Sequence, residues 1–265
     1  MSVSFSRRGF LGAALIVPGF RAVTGFRLNA EAAGGDGMPA SFPAQDPELI
    51  KEIVTVAHGN LARVKELVTA RPALARASWD WGYGDWETPI DAASHVGNRP
   101  IAEFLIANGA RPTVFTAVML GQLATVKSLI EATPGLQRMR GPHGLTMMAH
   151  ARAGGTGAAD VLKYLESLGD ADPRYPDLPL TDDEQSAIAG DYSFGGGTGD
   201  RLIVAKGPRG FTIQRPGGSP RNLFHQGGLM FLPAGAEAVR IEIRLAPEKS
   251  LTVRDGALAV VARAV

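Results

Sequence analysis

Five histidines, His58, His95, His143, His150 and His225, are the side chains of this 265-residue chain best suited to bind a metal or move a proton. Asp85, Glu87 and Asp91 lie shortly before His95. There is no cysteine, which excludes disulfides, thiolate metal sites and a thiol nucleophile. The histidine spacing matches no zinc signature such as His-Glu-x-x-His. His58 and His95 each stand one or two residues before a glycine that ends a helical pattern, where a cation suits the helix dipole. That favours structural roles for both. His95 and His150 fall on segments read as inner helices, with His143 just ahead of the second, so the three could converge on one concave face. His225 reads as an isolated strand residue. On balance the spacing points to no metal, no cofactor and no catalytic residue.

Ser94-His95 with Asp91 has the composition of a hydrolytic dyad or triad. Adjacent residues on a helix point about 100° apart, so Ser94 and His95 cannot face each other as nucleophile and base. No Gly-x-Ser-x-Gly or Ser-x-x-Lys motif occurs. Gly195-Gly196-Gly197-Thr198-Gly199 lacks the lysine and following helix of a phosphate loop and reads as a flexible hairpin.

The densest aromatic feature is SWDWGYGDWE, which holds Trp79, Trp81 and Trp86, the only tryptophans, with Tyr83 between them. Such side chains give large contact area at small entropic cost, so an exposed set would grip a peptide or glycan. The expected partner-binding residues are Trp79, Trp81, Tyr83, Asp85 and Trp86, joined by Phe115, Met119 and His143 if the groove is continuous. The opposing reading is a hydrophobic brace folding a long loop back on its neighbours.

These residues need elements to position them. Asp46-Pro47-Glu48 reads as an N-cap followed by proline at the first helical position. Leu49, Ile53 and Val56 follow at helical spacing, and a second helix runs from Leu61 to Ala70. Thr88 and Pro89 open another helix, and Gly97 permits the left-handed turn that sends the chain back. Helix-Gly-helix units recur irregularly around Gly59, Gly97, Gly121 and Gly154 or Gly155, with Leu67, Leu105, Leu129 and Leu165 in equivalent places. After Asp170 the composition shifts to a proline-containing linker. From Gly190 the period becomes two, with eight short segments from GDYSF to ALAVVARAV separated by turn residues.

ETPIDAASHVGNRPIAEFLIANGA resembles an ankyrin repeat: Thr88, Pro89, Ile90, Ala92, Ala93, Gly97, Leu105, Asn108, Gly109 and Ala110 match the family pattern, and Asp91 stands where it has histidine. GLTMMA at 144–149 is a degenerate second copy. The resemblance implies an ankyrin-like α-solenoid of about four irregular repeats over 46–172, followed by a small antiparallel β-meander or half-barrel over 190–265, an α + β multidomain chain. Residues 33–45 and 173–189 are read as linkers. The Gly190-Asp191-Tyr192 start resembles β modules that end some secreted bacterial serine hydrolases.

At the N-terminus, Ser6-Arg7-Arg8-Gly9-Phe10-Leu11 precedes an apolar run to Phe20, shorter than the roughly 20 residues a membrane span takes. Ala30-Glu31-Ala32 supplies a small-x-small cleavage pattern. Residues 1–32 resemble a twin-arginine export signal, with Arg7 and Arg8 as its signal residues, which implies a periplasmic location. They hold four arginines and one glutamate, so the remainder carries 27 − 4 = 23 basic and 26 − 1 = 25 acidic residues, a net charge of −2. No basic patch argues for nucleic acid, and no later segment is apolar enough to span a membrane.

The expected function is an exported scaffold that binds a protein or peptide through its finger loops and concave face, without catalysis. The alternative is a glycan or small-molecule binder, or a hydrolase without a known motif, using a pocket between the repeats and the β module. That alternative requires His143, His150 and Asp85 to converge on a cavity. Tryptophans in solvent favour the first reading; packed tryptophans with converging histidines favour the second.

Overall fold

The computed structural model of the protein describes residue 41 and residues 43–265, and every structural statement below concerns them. Arg7, Arg8, the expected signal and its cleavage pattern lie outside the described residues. No helix among the described residues is long and apolar enough to cross a membrane.

The N-terminal half is built of short helix pairs whose starts are chemically capped. Helix α1 (Pro47–Val56) begins where Asp46 accepts from the Glu48 amide at 2.9 Å, with Pro47 at its first position. Helix α2 (Leu61–Ala70) is capped by Asn60. A two-stranded ribbon follows, β1 (Trp79–Asp80) and β2 (Trp86–Glu87), and leads into α3 (Pro89–His95). Thr88 and Asp91 form a reciprocal capping box there. Helices α4 (Arg99–Ala107), α5 (Val114–Met119), α6 (Leu123–Ala132), α7 (Met147–Ala153) and α8 (Ala159–Leu168) complete this half.

Backbones approach closely at two turns. A β-carbon on Gly97 (φ +74°) would lie 2.0 Å from the Ala153 carbonyl oxygen, and one on Gly121 (φ +74°) 1.9 Å from that of Gly157. Glycine is required at both for its positive φ and its lack of side chain.

After a short helix α9 (Asp182–Ile188), eight antiparallel strands follow in sequence order: β3 (Gly190–Ser193), β4 (Arg201–Gly207), β5 (Gly210–Gln214), β6 (Arg221–Gly227), β7 (Met230–Pro233), β8 (Val239–Arg244), β9 (Ser250–Asp255) and β10 (Leu258–Ala264). They close into a barrel because β10 pairs back onto β3, Arg263 opposite Ser193 and Ala264 opposite Tyr192. The interior is filled by side chains including Tyr192, Val204, Ile213, Phe231, Ile241 and Leu251. Ile188 of α9 joins that core, and its carbonyl accepts from the Tyr192 hydroxyl at 2.6 Å.

This architecture corrects the expected fold class twice. The β region is a closed eight-stranded barrel, not a meander or half-barrel. Eight strands is the number at which side chains just fill a barrel, and closure pairs the two edges a half-barrel would leave open. The helical half is not an ankyrin solenoid. In a solenoid each unit contacts only its neighbours, whereas α3 packs on α7 as well as on α1 and α5. The Thr-Pro…Gly pattern that carried the resemblance encodes a local event, a capped helix and its turn, and does not encode stacking into an array.

The helical half also abuts the barrel. Tyr83, in the β1–β2 loop, packs against the barrel core. A β-carbon on Gly144 (φ +72°), in the loop before α7, would lie 2.8 Å from the Gly235 amide nitrogen of the barrel.

Candidate metal centre

Four side chains from four segments converge where the helices meet the ribbon: His58 just after α1, Glu87 of β2, His95 at the end of α3, and His143 in the loop before α7. One ligand atom from each lies within 4.8 Å of every other. His58 Nε2 is 3.0 Å from His95 Nε2. The Glu87 carboxylate approaches His95 Nε2 at 2.9 Å, His143 Nε2 at 3.3 Å and His58 Nε2 at 3.8 Å. A tetrahedral metal with bonds of about 2.0–2.1 Å to nitrogen and oxygen separates its ligand atoms by roughly 3.3 Å, near three of these separations, while His58 and Glu87 stand wider at 3.8 Å.

Outer partners fix which nitrogen the His58 and His143 rings present. His58 Nδ1 lies 3.1 Å from the Val54 carbonyl oxygen and 3.0 Å from that of Thr55. Carbonyls only accept, so Nδ1 carries the proton and Nε2 faces the cluster as a lone pair when the ring is neutral. His143 Nδ1 donates to Asp85 Oδ2 at 2.9 Å, which leaves its Nε2 in the same role. Ligating histidines bind their other nitrogen to a carbonyl or carboxylate in this way.

Glu87 is fully buried. Trp81 Nε1 donates to its Oε2 at 2.8 Å. Its Oε1 has no aligned hydrogen-bond donor despite the nearby imidazoles, whose contacts with it are ionic in geometry. A buried carboxylate oxygen turned toward imidazole nitrogens is costly unless protons or a cation stand between them.

Without a metal, protons take that role. Burial alone would lower the His143 pKa, but its contacts with Asp85 and Glu87 outweigh burial and raise it to about 9. Burial alone would raise the Glu87 pKa, but the imidazoles of His143 and His95 hold it down at about 2. Asp85 is likewise pushed up by burial and brought below its ordinary value by His143 and Arg221.

Asp85 ties the cluster to the barrel. Its Oδ1 accepts from the His143 amide at 2.8 Å, and its Oδ2 pairs with Arg221 Nη1 of β6 at 2.9 Å. Arg221 also donates to the Ala234 carbonyl. His143 itself sits in the left-handed region (φ +60°), unusual for a residue with a β-carbon. The hydrogen bond its backbone amide donates to Asp85 and its two imidazole contacts over-determine that strained position.

The cluster is reached from one side. His58 and His143 keep about a third of their side chains exposed (32% and 33%), whereas His95 keeps 11%. His58 and His143 line a cleft of about 1510 Å³ between the helical half and the barrel, together with Trp79, Trp81 and Arg221.

The sequence-predicted residues distribute unevenly around this centre. Trp79 and Trp81 are half-buried on the helical core and line the cleft, as a brace would. Asp85 and His143 belong to the cluster's immediate surroundings. Trp86 points away and is 60% exposed. Phe115 and Met119 are buried in the helical cores, so no groove runs through them. Ser94 donates to the Ile90 carbonyl at 2.6 Å, and Asp91 accepts from Thr88 and Thr113, so neither serves His95.

His150 stays outside the ligand set. Its ring lies 6.5 Å from that of His95, and its Nδ1 donates to the Thr146 carbonyl. Burial lowers its pKa to about 4 and keeps it neutral. The sequence reading assigned no metal ligands and treated His58 and His95 as helix-end cations. It missed Glu87 and His58 as partners of His95. The available signal was three histidines at helix or loop ends in a cysteine-free chain.

No family model and no curated protein matches the chain.

Proposed function

We propose that the protein is a metal-dependent protein that binds a small molecule in the cleft between its helices and its barrel. A divalent first-row transition metal would be held by His58 Nε2, His95 Nε2, His143 Nε2 and the Glu87 carboxylate. The observation that carries this reading is the convergence of those four groups within 4.8 Å, with Nδ1 of His58 and of His143 held by outer partners so that each Nε2 faces the cluster. Three imidazoles and one carboxylate suit zinc, iron, cobalt or nickel better than calcium or magnesium, which prefer all-oxygen sites.

Access distinguishes a reactive centre from a structural one. Structural sites are closed, and reactive ones keep a position open to solvent or substrate. Here the exposed edges of His58 and His143 face a cleft large enough for a drug-sized ligand. A metal there would act as a Lewis acid toward an oxygen ligand or a bound water. The test is isothermal titration of the chelator-treated protein with Zn²⁺. One site per chain in the wild type, lost in Glu87→Gln with the fold intact by circular dichroism, supports the reading. Unaltered Zn²⁺ binding by Glu87→Gln contradicts it.

Recognition of a protein or peptide is a second reading, supported by one observation, the 60% exposure of Trp86. A Trp86→Ala variant that captures the same periplasmic proteins as the wild type would remove it. Export remains a proposal resting on Arg7-Arg8 and the apolar run after them. N-terminal sequencing of the mature protein from a periplasmic extract tests it, with Ala33 as the expected first residue.

A further inference from the structure

We infer that the ligand of the cleft is a small anion, a carboxylate or phosphate compound. The inference deepens the metal reading and rests on it. The cleft is lined by Lys51 and the arginines 140, 174, 209, 215 and 221, against Asp80, Asp172 and Asp177. That is six fixed cations to three anions, in a chain whose residues beyond 32 carry 23 basic and 25 acidic groups. The wall thus carries three more cations than anions, although residues 33–265 have no cationic excess.

The acidic groups in the wall are already engaged. The Asp172 carboxylate pairs with Arg152 and accepts from Thr146, Asp177 accepts from the His225 amide, and Asp80 accepts from the Gly82 amide. Among the cations, Arg221 is held by Asp85, Arg215 by Asp200 and the Gly199 carbonyl, and Arg140 by the carbonyls of Gly144 and Pro173. Arg174 and Arg209 have neither an ion pair nor a side-chain hydrogen bond among the described residues, and both are exposed.

They approach from different parts of the fold. Arg174 belongs to the strap before the barrel, and Arg209 to the β4–β5 hairpin. Guanidinium forks match the paired oxygens of carboxylates and phosphates, and a cleft with an excess of positive charge attracts such ligands. The half-buried indoles of Trp79 and Trp81, with Tyr175 and Phe224, offer apolar wall for the remainder of the molecule.

The test uses the full protein loaded with Co²⁺, whose visible absorption reports on its ligands. Inorganic phosphate and malonate are titrated separately, the first standing for phosphate compounds and the second for carboxylates. At least one is expected to bind, and its affinity to fall at least tenfold in the Arg174→Ser, Arg209→Ser double variant with Co²⁺ affinity unchanged. Arg263→Ser, which removes a barrel charge outside the cleft, should stay within twofold of wild type. Co²⁺-loaded protein that binds neither anion, or a double variant that binds like wild type, overturns the inference while leaving the metal reading intact. Failure to take up Co²⁺ overturns the metal reading and the inference with it.

Discussion

The barrel and the ribbon–helix junction solve opposite problems with the same chain. In the barrel, alternation puts Val204, Ile213, Phe231 and Ile241 inside, and closure of β10 on β3 leaves no open edge. Most of its sequence agrees with one outcome, with exceptions at Leu229, which takes φ +56°, and His225, whose buried Nε2 has no partner. At the junction, buried Glu87 points an oxygen without a donor at imidazole nitrogens, and His143 is held in a left-handed conformation. Such local conflicts persist in native proteins mainly where function requires them. The contrast marks the barrel as scaffold and the junction as the working part. Arg221 links the two through Asp85.

The comparison can be broken most forcefully at the ligands. His95→Ala should lower metal affinity by more than the roughly 10–100-fold typical of losing an outer partner, with unfolding midpoint little changed in the absence of metal. The matching change in the barrel, Phe231→Ala, should cost about 3–5 kcal/mol of stability and leave the metal affinity of the folded protein as it was. If the barrel variant loses metal while folded, or the junction variant keeps it, the division of labour fails. Calorimetric titration beside urea denaturation separates the two.

One step out, Asp85→Asn should weaken metal binding about 10–100-fold, because the His143 ring loses the carboxylate that orients it. Arg221→Met should have a smaller effect in the same direction.

Protonation sharpens the picture further. In the metal-free protein His143 stays protonated up to about pH 9, so a metal binding at pH 7.5 must expel that proton. Titrations in buffers of different ionisation enthalpy should show about one proton released per metal, and affinity should rise with pH until about 9. The same shift stabilises the metal-free fold: a raised histidine pKa contributes fully below the ordinary value of 6.5 and is lost as pH climbs through about 9.

The smallest effect concerns His150, which has the opposite sign. Its folded pKa of about 4 means its contribution is present above 6.5 and lost as pH falls toward 4. His150→Phe should therefore narrow the gap between urea midpoints measured at pH 7.5 and pH 5. An unchanged gap would show that His150 is not buried neutral.

What the sequence revealed was local. Asp46 and Thr88 announce helix starts because a cap is settled within three residues. The eight β segments are visible from alternation and turn residues. Closure of the barrel depends on Tyr192 meeting Ala264, which no local pattern encodes. The junction was hidden for the same reason. His58 meets His95 across 37 positions, Asp85 meets His143 across 58, and Arg221 meets Asp85 across 136. Helix-end histidines have a sufficient local explanation in the dipole, so spacing favoured that role over the convergence it also allowed for His95, His143 and His150. The ankyrin-like pattern misled because it states how one helix pair turns and is silent on what that pair packs against.

The most direct test of the central claim is a crystal structure of the Zn²⁺-loaded protein with anomalous data at the zinc edge. The account requires one strong peak about 2.0–2.2 Å from His58 Nε2, His95 Nε2, His143 Nε2 and a Glu87 oxygen, facing the cleft. A zinc-soaked crystal with no peak among these four residues, or with its peak elsewhere on the chain, would contradict it.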